Sequence, residues 1–238
     1  MRHALLLFAA AAALVAQDFN ADFFRGNTKV AMAACADRAR AINGKDSRLL
    51  AEYGRAYLQS GNQVKAEAAF KAAAASDVKD GETYRLIALA WLRHGDKARA
   101  MEVIALMQKM DPRGRNAFNR AALDLMDAGF MEESKALMDA SWKLDPTDYH
   151  NGLDFANAAL RNHHWELASQ WMDKVYLMDP KDWHDRCDFA KAALQLGQRD
   201  LAAVWFARTI QARPKEERMW NEIALAYADM GSPAHALF

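Results

Sequence analysis

Two pairs of residues come nearest to a chemical site: His150 with Asp154, and His184 with Asp188. Each pair is spaced i, i+4, so on a helix the imidazole and the carboxylate share a face. If successive helices stack in register, the pairs lie side by side, and two imidazoles with two carboxylates suit a divalent metal such as zinc. The simpler reading makes them weak, solvated pairs at equivalent helix positions, and on that reading no metal and no cofactor is assigned. His163 and His164 form a second histidine group. They stand at a bend, where side chains are exposed, and read as a tolerated substitution. Signatures of catalysis are absent from the sequence: there is no glycine-rich phosphate loop, no Gly-x-Ser-x-Gly elbow and no His-Glu-x-x-His helix. An enzyme is therefore not expected. Tryptophans offer a stacking platform for sugars or bases only if they are exposed. Trp91 and Trp220 instead fall at packing positions, and Trp165, Trp171, Trp183 and Trp205 fall where large side chains fill the space between helices.

What positions these residues is a repeat. Pro112, Pro146, Pro180 and Pro214 follow one another at intervals of 34 residues. Gly61, Gly95, Gly129, Gly197 and Gly231 keep the same step, with His163 in the place of the missing glycine. So do Ala66, Ala100, Ser134, Ala168, Ala202 and Ala236. A fixed period in this range is the mark of stacked repeats. Within residues 81–114, Tyr84, Ile87, Ala88 and Trp91 recur at helical spacing, His94-Gly95-Asp96 breaks the helix, and Ala100, Val103, Ile104 and Met107 resume it. Proline then closes the unit, because it cannot continue a helix. Each unit is thus a helical hairpin, and small residues such as Gly54, Ala88 and Ala122 stand where two helices approach closely.

These residues resemble the tetratricopeptide repeat, TPR, in the units Tyr84, Ile87, Ala88, Trp91, Gly95, Ala100, Ile104, Pro112 and Trp220, Ile223, Ala224, Tyr227, Gly231, Ala236. Five full units cover 47–80, 81–114, 115–148, 149–182 and 183–216, and a partial sixth covers 217–238. The resemblance implies an all-α fold, a right-handed α-solenoid of antiparallel helix hairpins, with the first helix of each hairpin lining a concave groove. It implies no reaction.

On the face that the family turns inward, three rows stand out. Arg120, Asp154, Asp188 and Glu222 make a mostly acidic row; Leu89, Leu123, Asn157, Lys191 and Leu225 make a second; Leu58, Leu92, Met126, Leu160 and Leu194 make an aliphatic third. An apolar floor beside a charged edge suits an extended or helical peptide. The third row can equally pad the contact between successive first helices, and both readings stand at this point. The family's clamp for a chaperone C-terminus needs Lys and Asn at set places of successive units. Here Ala51 and Arg55, then Leu86, then Asn116 and Arg120 occupy them, so that partner is disfavoured. The expected function is a non-enzymatic protein- or peptide-binding adaptor, the alternative a structural module that self-associates through its repeat ends.

Composition bounds the partners. Thirty-one basic and thirty-one acidic residues cancel, leaving no overall field to attract nucleic acid or an anionic membrane. Cys35 and Cys187 lie more than four units apart, out of reach of one another in a solenoid, so no disulfide is expected. Met1-Arg2-His3 followed by the apolar run from Ala4 to Ala16 has the layout of a secretory signal peptide, too short to span a bilayer comfortably. It predicts an exported, periplasmic or secreted protein; if residues 1–16 instead form a capping helix, the protein is cytoplasmic. Residues 17–46 read as a degenerate repeat that caps the array, with Phe19 and Phe23 on one face, a break at Gly26-Asn27, a helix from Val30 to Ile42, and Gly44 as its left-handed terminator. At the other end, Leu237 and Phe238 follow a cap at Ser232-Pro233 and predict an apolar association surface that pairs either with a second copy, giving a homo-oligomer, or with a partner's helix.

Overall fold

The computed structural model describes residues 21–231. The signal-peptide reading, Phe19, and the C-terminal features Ser232-Pro233, Ala236, Leu237 and Phe238 lie outside the described residues. Those residues are all-α, with thirteen helices and no strand. They fall into two compact units, one ending at Asp124 and one beginning at Leu125.

In the first unit, α1 (Ala21–Arg25) and α2 (Thr28–Ile42) precede two hairpins, α3 (Ser47–Gln59) with α4 (Gln63–Ser76), and α5 (Gly81–His94) with α6 (Lys97–Met110); α7 (Arg115–Asp127) begins here. The second unit holds α8 (Met131–Leu144), then α9 (Tyr149–Arg161) with α10 (Trp165–Met178), α11 (His184–Gln195) with α12 (Arg199–Ala212), and α13 (Glu217–Asp229).

One device closes the hairpins. At the α3–α4 bend the Gly61 amide donates to the Leu58 carbonyl and the Asn62 amide to the Tyr57 carbonyl, with Gly61 at φ +86°. This pair of bonds satisfies the last carbonyls of the first helix and requires a left-handed residue between them. Gly95, Gly129 and Gly197 repeat it. His163 does too, donating to the Leu160 carbonyl at φ +64°, which makes it the one non-glycine residue at positive φ among those described. The motif thus overrides the ordinary preference of an L-residue.

The residue after each bend starts the second helix. Asn62 accepts from the Lys65 amide and Asp96 from the Arg99 amide, whereas His164 and Gln198 make no side-chain cap bond. Small residues permit the close approach: a Cβ on Gly54 would stand 2.3 Å from the Phe70 ring. Around such contacts the first unit buries Leu50, Ala51, Tyr57, Ala69 and Phe70, and the second buries Phe155, Trp171, Phe189 and Trp205. Phe155 and Trp171 meet edge to face at 4.8 Å.

The N-terminal helices differ from expectation in two respects. Helix α2 ends on Asn43 in an extended conformation, and Gly44 has no positive φ. Gly44 is needed for space, since a Cβ there would come within 2.8 Å of the Arg40 carbonyl oxygen. Its buried residues are Ala31, Ala34 and Ala36, while Val30 and Ile42 are exposed. Polar contacts compensate for so thin an apolar seam: Asp37 accepts from the Tyr57 hydroxyl at 2.7 Å and from the Lys65 ammonium at 2.7 and 2.8 Å. Of the tryptophans, Trp91, Trp171, Trp183 and Trp205 are buried. Trp220 is not: it is 42 % exposed, in the first turn of α13, with its Nε1 donating back to the Pro214 carbonyl at 3.0 Å.

Candidate functional site

The aliphatic row is not a groove floor. Leu58, Leu92, Met126, Leu160 and Leu194 are 1–8 % exposed, so no partner reaches them without unfolding the hairpins. The reason lies in their register. Each stands three residues before the left-handed residue of its bend, where the chain reverses over it. That spacing was available in the sequence and distinguishes padding from floor. The second row is graded: Leu89, Leu123, Asn157 and Lys191 are half-buried, and Leu225 is 51 % exposed.

The charged row keeps its place at the surface, where its members are tied to their neighbours. In the first unit Arg120 donates to Glu82 at 3.0 Å, and Glu82 also takes both nitrogens of a bidentate bond from Arg85 at 2.8 and 2.9 Å. Arg85 reaches onward to Asp124. First helices α3, α5 and α7 thus present a face closed by its own ion pairs, with Arg48 forked onto Asp80 at 2.9 and 3.1 Å. In the second unit Lys191 lies between Asp188 at 2.7 Å and Glu222 at 2.8 Å, linking α11 to α13. The Lys191 ammonium holds the Glu222 carboxyl below its ordinary range. Asp154, on α9, is exposed, as is Asp188. Two carboxylates of this row, Asp154 and Asp188, therefore stand exposed, and the third, Glu222, is half-buried beside the Lys191 ammonium.

The four residues of the candidate metal set are not gathered into one. Among the described residues no three His, Cys, Asp or Glu side chains converge as metal ligands. His184 stacks on Trp183, ring centroids 3.9 Å apart, and its Nδ1 lies 3.3 Å from Asp182. His150 lies edge-on to Tyr149 at 5.9 Å. The i, i+4 spacing places His and Asp on one face, but neighbouring aromatic rings turn both imidazoles aside. His163 meets the edge of Trp165 at 5.0 Å and is exposed.

Two features went unread in the sequence. The Tyr149 hydroxyl lies 2.9 Å from an Asp182 oxygen and 2.6 Å from an Asp185 oxygen, a contact that couples α9 to the cap of α11. Burial and the two carboxylates together push its pKa well above the ordinary tyrosine value. Arg186, 1 % exposed, occupies the repeat position held elsewhere by Leu50, Tyr84, Phe118, Gly152 and Trp220. Its guanidinium lies over the Tyr176 ring at 4.9 Å and donates to the Pro180 carbonyl at 3.0 Å, leaving Nε and Nη2 without a protein partner. Burial lowers its pKa, opposed by nearby Asp182. A charge at a repeat position that is otherwise uncharged was the available signal. Both cysteines are free, Cys35 exposed and Cys187 buried.

No protein-family model and no curated protein matches the chain. Among solved structures it is similar to PilW, a widely conserved type IV pilus biogenesis factor, at 17 % identity over 80 % of this chain and 89 % of that one, TM-score 0.43. It is similar to pilF of Pseudomonas aeruginosa at 15 % identity over 85 % and 89 %, TM-score 0.43. It is also similar to YrrB, a TPR protein with an unusual peptide-binding site, at 12 % identity over 79 % and 97 %, TM-score 0.40. At such levels the likenesses bear on neither site nor partner, and the TPR-like fold stands on the hairpins themselves.

Proposed function

We propose that the protein is a non-enzymatic scaffold that binds a protein or peptide along the face built by its first helices, and that the segment held by the second unit is basic. The observation that carries this reading is the row Asp154, Asp188 and Glu222, one carboxylate per repeat, the first two exposed and Glu222 half-buried, with Lys191 alone among them. Opposite charges at regular spacing set register and speed encounter more than they add affinity. Binding should therefore weaken with salt.

Capture from a cell-envelope fraction tests the reading, comparing the wild type with Asp154→Lys, Asp188→Lys, Glu222→Lys. The wild type retains a partner that salt releases, and the triple variant loses it while keeping its helicity. Equal capture by both overturns the proposal. Export belongs to the proposal as well and rests on the sequence from Met1 to Ala16. N-terminal sequencing of the natural protein should begin near Leu14 or Gln17; an intact Met1 on cytoplasmic protein defeats it. Among the described residues no helix is long and apolar enough to cross a membrane.

A further inference from the structure

Second helices of successive repeats meet through a recurring pair of positions. In the second unit that pair is Trp142 with Trp171, ring centroids 5.2 Å apart, and one repeat later Tyr176 with Trp205 at 6.4 Å. Two repeats before Trp142 and Trp171 stand Ala74, on α4, and Val103, on α6. Where the second unit packs ring against ring, the first unit has only a methyl and an isopropyl group at the same positions. The space the rings would occupy is open: Ala74 and Val103 line a crevice of about 230 Å³, with Phe70, Tyr84, Ile87 and Trp91 at its base and Leu106, 47 % exposed, at its lip. A cavity of roughly 150 Å³ suffices for benzene.

The charges around the rings differ in the same way. In the second unit a carboxylate on one second helix faces a cation on the next, Asp173 with Arg208, and Asp139 near Lys174; each cation also lies over a ring, Lys174 above Trp171 at 3.4 Å and Arg208 above Trp205 at 4.6 Å. The corresponding positions in the first unit are Lys71 and Leu106. Lys71 is exposed at the rim, and no carboxylate of the described residues pairs with it, since Glu67 is turned to Arg99 at 2.6 Å and Gln63 at 2.9 Å.

We infer that this crevice on α4, α5 and α6 is a second binding site, which takes an aromatic side chain of a partner polypeptide with a carboxylate beside it. The chain itself shows the fit: Trp142 and Tyr176 fill the equivalent space in the other unit, and the occupant supplies the ring that Ala74 lacks and the negative charge that Lys71 lacks. The site shares no residue with the charged row of the second unit, so its fate is independent of the proposal above.

Methyl NMR of the full chain tests it with three probes: indole, N-acetyl-tryptophan, which carries a carboxylate, and neutral N-acetyl-tryptophanamide. The methyl resonances of Ile87, Val103 and Leu106 should shift with all three at millimolar concentration. The acid should bind ~2–5-fold more tightly than the amide, as an exposed ion pair allows. Lys71→Glu should reverse that preference. Ala74→Trp, which restores the ring seen at Trp142, should abolish binding without lowering the melting temperature. Unmoved methyls, or an Ala74→Trp protein that binds like the wild type, would overturn the inference. Should Ala74→Trp fail to fold, the Lys71→Glu comparison decides: equal affinity for acid and amide in both proteins overturns it.

Discussion

Leu160→Ala separates the two roles a groove leucine can have. Leu160 is 1 % exposed, three residues before the left-handed His163 and preceded by buried Ala158 and Ala159. Truncation removes its buried isobutyl contacts and leaves a cavity that close-packed helices refill only in part. For such a site the loss is about 3 kcal/mol, the middle of the range for buried leucine. In a chain of this length each kcal/mol moves the thermal midpoint by about 2–4 °C, so the transition should fall by roughly 6–12 °C. Asp154→Ala, on the same helix but exposed, should leave the midpoint where it is and weaken partner capture instead. Circular-dichroism melts of both variants, alongside capture assays, make the comparison. If Leu160→Ala melts with the wild type yet no longer holds the partner, the leucine is a contact residue and the assignment of that row to the core is refuted.

Three further outcomes follow from particular residues. His163→Gly should raise the unfolding free energy by ~0.5–1 kcal/mol, and the denaturation midpoint with it: a left-handed L-residue costs ~1–2 kcal/mol, partly offset by the greater freedom of glycine in the unfolded chain. A lower midpoint would show that the edge contact with Trp165 outweighs the strain. Arg186→Met should be neutral or stabilising in the same assay, because a buried guanidinium with two unpartnered nitrogens gives way to an apolar chain of similar size; a marked loss would mean that the Tyr176 stack and the Pro180 bond dominate. Burial pushes the Cys187 thiol up to about 11, so at pH 8 only about one molecule in a thousand carries the reactive thiolate. Iodoacetamide followed by peptide mapping should label exposed Cys35 and spare Cys187, and equal labelling of the folded protein contradicts the burial.

The hairpins were legible because their determinants are local. A glycine at a left-handed bend, a small residue at a close approach and a proline after the second helix are each dictated by backbone geometry. Gly54 against Phe70 and Gly61 at positive φ illustrate this. The site was less legible, because helical periodicity marks a residue as apolar without saying what covers it. Leu58 and Leu225 both read as groove leucines, yet one is 2 % and the other 51 % exposed. The difference lies in distance from the bend: Leu58 stands three residues before Gly61, Leu225 six before Gly231. The partnership of charges was not legible: Glu82 pairs with Arg120, and Asp188 and Glu222 with Lys191, and these pairs decide how much of their charge a partner meets. The crevice at Ala74 was hidden for another reason. Alanine is an ordinary helix residue, and its smallness has meaning only beside Trp142 and Tyr176 at the same place in later repeats.

Site-specific photo-crosslinking in the natural cell tests most directly where the partner lies. A benzophenone side chain in place of Asp188, on the first-helix face of α11, should yield a discrete adduct with the partner. The same group in place of Ala203, exposed on second helix α12, should yield none. Adducts from position 203 with none from 188 would contradict binding along the first helices.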